Sequence, residues 1–151
     1  MPCSLGHKRY IIPWKFPSVS PSLEDIVATL KNHPVFRQEE SLQFAFLGGS
    51  FAKGTEGWWS DLDIFVYLDP HTPSTSKWAK LDLAIAISDL LRFEPVIVSV
   101  LNELPLMVQF EAIRKYVPLF VRDPEAFEDY VIKTWKLGAD FRQFQLRWLN
   151  E

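Results

Sequence analysis

From Leu23 the apolar positions Leu23, Ile26, Val27 and Leu30 recur at helical spacing, which predicts a helix. Ser22 before it and Asp25 three residues later have the form of a capping box, and Asn32-His33-Pro34 stops it. The period then changes to two. Leu42, Phe44 and Phe46 alternate with Gln43 and Ala45, predicting a strand that ends at Gly48-Gly49. Ser60 to Leu68 reads as a second strand, dense in β-formers at Ile64, Phe65, Val66 and Tyr67. Pro70 to Pro73 is a loop, after which Ser74 or Ser76 caps a long helix through Phe93, with Leu83, Ile87, Leu90 and Leu91 on one side. Val96 to Leu101 is nearly all apolar, the pattern of an internal strand. Leu104 to Tyr116 is helical, Val117 to Val121 is a short strand, and Pro124 opens a final helix to about Trp148.

No repeat interrupts this order, and 151 residues suit one domain. Four prolines (Pro2, Pro13, Pro17, Pro21) make residues 1–21 an extended arm ahead of a domain over 22–151. At 48% hydrophobic and 23% charged, the body is that of a folded protein with a real core. One cysteine, Cys3, and the scattered His7, His33 and His71 exclude an internal disulfide and a structural zinc cluster, and a reducing cytoplasm fits best. No stretch reaches the roughly 20 apolar residues of a membrane span. Net charge is −3, with Lys8, Arg9 and Lys15 in the arm and every acidic residue beyond it, so the acidic body argues against broad duplex binding. It leaves room for a nucleotide carried with magnesium. The unusual entry in the composition is 12 Phe, 6 Trp and 4 Tyr, 15% of the chain, which raises the question of a partner.

The chemistry concentrates in LGGSFAKGTEGWWSDLDIFVY, residues 47–67. Small residues at a strand end let phosphate oxygens approach backbone N–H groups, and a following helix N-terminus adds positive dipole. Ten residues (51–60) separate Ser50 from Asp61, and Asp63 follows after one more. Two apart on a strand, their carboxylates project from one face and suit Mg²⁺ shared with triphosphate oxygens.

Gly49-Ser50, ten residues, then Asp61-Leu62-Asp63 resembles the signature of minimal nucleotidyltransferases of the polymerase-β-like superfamily. PVIVSVLNELP (95–105) and VPLFVRDPEAFEDY (117–130) look like the second half of MntA-type antitoxins, which pair with HEPN toxins. The resemblance covers about residues 22 to 150. It implies an α+β nucleotidyltransferase fold: a small mixed sheet of three to four strands flanked by helices, with a long C-terminal helix. It further implies ATP as donor with Mg²⁺, Gly49 and Ser50 gripping the terminal phosphates, Asp61 and Asp63 holding the metals, and AMP passing to a tyrosine of the HEPN toxin. Lys53, just past Ser50, is either a phosphate contact or a solvated lysine.

One departure stands out. The family has a third carboxylate on the next strand, which binds metal and activates the attacking hydroxyl. Registering Leu101-Asn102 on that pattern places Ile97 there, and isoleucine neither ligates nor accepts a proton. Glu94 lies about 10 Å away on the other face, and Glu103 about 20 Å away. Two functions therefore stay open: a transferase moving AMP to a partner protein, or a catalytically impaired module that neutralises a HEPN-type partner by contact. Transfer to a small molecule expects a further substrate domain.

Trp58 and Trp59 border the acidic pair and split between core and surface, one of them at most flanking a base or partner. His71 is a solvated loop residue, and Cys3 has no base nearby. In the final helix Phe127, Tyr130, Val131, Thr134, Phe141 and Trp148 fit one stripe assigned to the core. Trp135 and Phe144 fall off it among Lys133, Lys136, Arg142 and Arg147, the composition of a protein interface. The expected partners are a HEPN-type toxin and the nucleotide, with homo-oligomerisation left open, no membrane and no strong nucleic-acid binding.

Overall fold

The computed structural model describes residues 20–57, 60–74 and 78–150. Most of the Pro-rich arm, Trp58, Trp59 and Ser76 lie outside them. Ser22 caps the first helix, α1 (Leu23–Leu30), as expected: its hydroxyl accepts from the Asp25 N–H at 3.1 Å, and Asp25 accepts from the Ser22 N–H at 3.3 Å. A 3₁₀ turn over Pro34–Phe36 follows, buried through Val35 and Phe36. Then come β1 (Leu42–Gly48), α2 (Gly49–Lys53), β2 (Leu62–Leu68), α3 (Ala79–Leu91), β3 (Val96–Val100), a 3₁₀ turn (Leu101–Glu103), α4 (Leu106–Arg114), β4 (Val117–Val121) and α5 (Pro124–Asn150).

The strands form one mixed sheet in the order β3-β2-β1-β4. β1 runs antiparallel to β2 and β4, and β2 is parallel to β3 across the α3 crossover. β1, central and buried on both faces, reads almost wholly apolar. On one face Ala45, Leu47, Leu62, Ile64, Val66 and the β3 valines pack against α1, α2 and α3. On the other, Phe44 and Phe46 meet α4 and the start of α5 through Ile113, Phe127 and Tyr130. A bulge between Leu42 and Phe44 moves Leu42 into the first core, out of the phenylalanine row.

This second face holds much of the aromatic content. The Phe44 ring lies 5.1 Å from Tyr67, 4.7 Å from Phe127 and 5.1 Å from Tyr130. The Tyr130 hydroxyl donates to Gln109 Oε1 at 2.7 Å, and burial pushes its pKa up to about 12.

Several sequence expectations change. β2 begins at Leu62, because Ser60 belongs to a turn in which its hydroxyl accepts from the Gly57 N–H at 2.8 Å. α3 begins at Ala79 after Trp78 with no side-chain cap, so Ser74 does not cap it, and Leu90 is exposed. Among the described residues β3 is an edge strand with no strand beyond it; its apolar content reflects burial of Val96, Val98 and Val100 under α3. The C-terminal stripe is core only as far as Thr134 and Gly138. From Asp140 onward every described residue is exposed, Phe141 and Trp148 included, because α5 outruns the sheet beneath it. Trp135, expected off the stripe, sits edge-on to Phe110 with centroids 5.1 Å apart.

Gly138 sets how closely α5 approaches α4. A Cβ there would lie 2.7 Å from Phe110 Cβ and strike its ring. Gly138→Leu is therefore expected to destabilise the fold by about 1–3 kcal/mol, measured as a lower urea midpoint at unchanged slope.

Candidate nucleotide and metal site

β1 ends at Gly48 and the chain turns at once into α2. Gly49 has φ of 64°, the left-handed region that glycine enters without steric cost. Space demands glycine as well: a Cβ at Gly49 would strike the Asp63 carboxylate, 3.0 Å from its Cγ. The glycine turn and the acidic strand are thus one site. Phe51, fully buried and edge-on to Phe93 at 5.8 Å, pins α2, and Gly54 closes it in the left-handed region. The helix opens on Gly48, which has no side chain to cap the first-turn N–H groups. Ser50 is half-buried beside Gly49. Lys53 is exposed one turn on, on the same face of α2 as Ser50.

Asp61 is exposed just before β2, and Asp63 is half-buried as its second residue. Leu62, Ile64 and Val66 enter the first core, so Asp63 shares the opposite face with Phe65 and Tyr67. Burial, and after it the neighbouring Asp61 charge, raise the Asp63 carboxyl above its ordinary 3.8. Among the described residues neither carboxylate has an ion-pair or hydrogen-bond partner.

A pKa raised on folding makes a contribution that is present below the ordinary carboxylate range and lost as pH rises through the raised value. Asp63→Asn is therefore expected to raise the metal-free thermal midpoint near neutral pH and to change it little near pH 4. Scanning fluorimetry at both pH values checks this; a lower midpoint at neutral pH would contradict it.

Two hard oxygen donors with like charges held close suit Mg²⁺ rather than zinc or copper. Among the described residues no third His, Cys, Asp or Glu joins them. Ile97 stands at the position to which the resemblance assigns a third carboxylate. Asp63 pairs with Gly48 on one side and Ile97 on the other, and Ile97 is 42% exposed. Glu94 lies with Leu81, Ile85 and Val96 around a cleft against α3, on the opposite face, and Glu103 engages Lys80 at 3.9 Å.

The register that puts Ile97 beside Asp63 is held at both ends. Leu62 N–H donates to Pro95 O at 3.0 Å. Leu68 N–H donates to Asn102 Oδ1 at 2.9 Å, and Asn102 Nδ2 donates to Leu68 O at 2.7 Å. Asn102 thus extends the β2–β3 ladder with its side chain, a role that spacing alone leaves unstated. His71 is exposed in a turn where Asp69 accepts from its backbone N–H at 3.0 Å.

A mixed sheet with a glycine turn packed on an acid pair, at the ends of adjacent strands, is the nucleotidyltransferase fold. The chain belongs to the polymerase beta, nucleotidyltransferase family, whose model matches residues 30–125. No curated protein matches the chain significantly. Among solved structures it is similar to a toxin–antitoxin crystal structure with AMP-PNP, at 20% identity and TM-score 0.60 over 77% of this chain and 90% of that one. It is also similar to a complex of a tri-AMPylated Shewanella oneidensis HEPN toxin with an MNT antitoxin, at 17% identity and TM-score 0.56 over 77% and 87%. A toxin–antitoxin MntA–HepT structure gives 17% identity and TM-score 0.55 over 77% and 88%. No described helix is long and apolar enough to cross a membrane.

Proposed function

We propose that this chain binds Mg·ATP and transfers AMP to a tyrosine hydroxyl of a HEPN-type toxin, the tyrosine oxygen bonding to the α-phosphorus as the α–β phosphoanhydride bond breaks and pyrophosphate leaves, and so acts as its antitoxin. The observation that carries the reading is the close packing of the Gly49 turn on the Asp63 carboxylate, which leaves no room for a Cβ and puts the glycine turn and the acid pair side by side. The AMP-PNP and AMPylated-toxin complexes among similar folds support the donor and the acceptor.

Asp61 and Asp63 would hold the metal, which when bound neutralises charge on the phosphate oxygens. Gly49 and Ser50 offer backbone N–H groups and a hydroxyl to the terminal phosphates, and Lys53 adds a positive charge on the same helix face. The acceptor hydroxyl approaches on the Ile97 side. Ile97 takes no proton, so the proton leaves to solvent and transfer is slow.

Calorimetry tests the donor half. ATP is expected to bind only with Mg²⁺, and Asp61→Asn/Asp63→Asn to weaken it at least about 100-fold. Binding indifferent to both metal and acid pair would contradict the assignment. Ile97 favours a second reading, neutralisation of the toxin by contact alone. Growth rescue by the Asp61→Asn/Asp63→Asn variant, equal to wild type, would select it.

A further inference from the structure

The apolar positions of α5 continue past the core with an unbroken alternation of three and four residues, a 3.5-residue seam that takes in Phe144, expected off the stripe. Phe127, Tyr130 and Thr134 close on the second core. Leu137, Phe141, Phe144 and Trp148 then follow at alternating four- and three-residue intervals, 45%, 42%, 55% and 67% exposed. That alternation is the a/d spacing of a helix that packs on another helix. The Phe144 and Trp148 rings already pack on each other, centroids 5.9 Å apart.

We propose that this seam pairs antiparallel with the same seam of a second copy, making a homodimer through α5. Pairing about a two-fold axis between Phe141 and Phe144 sets Phe141 of one copy against Phe144 of the other, and Leu137 against Trp148. The same register places Asp140 beside Arg147 of the second copy, twice by symmetry. Parallel pairing sets Asp140 against Gln145 and forms no ion pair. The seam is therefore self-complementary in charge as well as shape. At its inner end, beside Leu137, a cavity of about 350 Å³ opens between Tyr67, Gln109, Tyr130 and Lys133. Trp148 of the second copy arrives at the rim of that cavity.

The exposed part of these four side chains amounts to roughly 400 Å² of apolar surface per chain. This is the small end of specific interfaces, so the dimer forms at micromolar concentration.

Sedimentation equilibrium of the full chain, loaded from about 1 to 200 µM, is expected to show a monomer–dimer transition inside that range. Asp140→Arg or Arg147→Asp alone sets like charges together at both contacts and weakens association about three- to tenfold. The double variant D140R/R147D re-forms both pairs in reverse and returns the wild-type constant. Phe144→Asp removes the dimer while leaving the far-ultraviolet circular dichroism and thermal midpoint of the monomer unchanged, because Phe144 lies outside the core. A monomer at the highest loading would overturn the proposal. So would a dimer indifferent to these substitutions, a double variant no tighter than the singles, or a seam that binds another protein without self-association.

Discussion

Replacing Ile97 with aspartate is expected to accelerate AMP transfer to the partner hydroxyl by about 10²- to 10⁴-fold, the range that a positioned general base contributes. Ile97 stands in register with Asp63 on the neighbouring strand and is 42% exposed, so a carboxylate there joins the acid pair without entering the core. It would supply a third oxygen ligand and a group to take the acceptor's proton. The register is fixed by Asn102 on Leu68 and by Leu62 on Pro95, so the new side chain has little freedom to miss. Single-turnover transfer from labelled ATP reads the effect, with Ile97→Asn as the uncharged control. Equal rates for the aspartate and asparagine variants would show that the acceptor-activating position is elsewhere.

Gly49→Ala is expected to damage fold and site together. An alanine held at φ near 64° costs about 1–2 kcal/mol of backbone strain, and its methyl group strikes the Asp63 carboxylate. Either α2 shifts away from β2, or Asp63 swings out of line with Asp61. The thermal midpoint should fall by roughly 3–8 °C for a chain of this size. Mg²⁺-dependent ATP affinity should fall by more than tenfold, beyond what the lost stability explains. Gly54→Ala is the control. Gly54 also has positive φ, at 72°, but a Cβ there meets nothing within 4 Å, so the control carries the strain without the collision. Equal losses of affinity in the two variants would remove the case for contact between turn and acid pair.

Where local chemistry decides an element, the sequence is readable. Ser22 and Asp25 specify the α1 cap because both partners lie within one turn. Val117 to Val121 reads as a strand because proline and charge bound it tightly. The acid pair and the glycine turn are legible for the same reason, since their spacing matches a strand, a short helix and a returning strand. Ile97 is legible only through the resemblance, by registering Leu101-Asn102 on the family's pattern; that Asn102 extends the β2–β3 ladder is not legible.

What escapes sequence reading depends on distant neighbours. Val96 to Val100 has the apolar content of an internal strand, yet one helix-covered face is enough to produce it at the sheet's edge. The period of α5 identifies the stripe, but whether the core lies under Phe141 and Trp148 depends on where the sheet stops. The aromatic content divides accordingly. One part forms the Phe44–Tyr67–Phe127–Tyr130 cluster inside, and the other stands exposed along the end of α5.

In the proposed function Asp61, Asp63 and the Gly49-Ser50 turn form the donor half of a working transferase. Incubation of the chain with α-labelled ATP, Mg²⁺ and a HEPN-type toxin protein, following label on the toxin over time, measures this directly. Slow, Mg²⁺-dependent labelling on tyrosine is expected, lost in Asp61→Asn/Asp63→Asn and accelerated in Ile97→Asp. A partner bound tightly yet unlabelled by both the wild type and Ile97→Asp would contradict it.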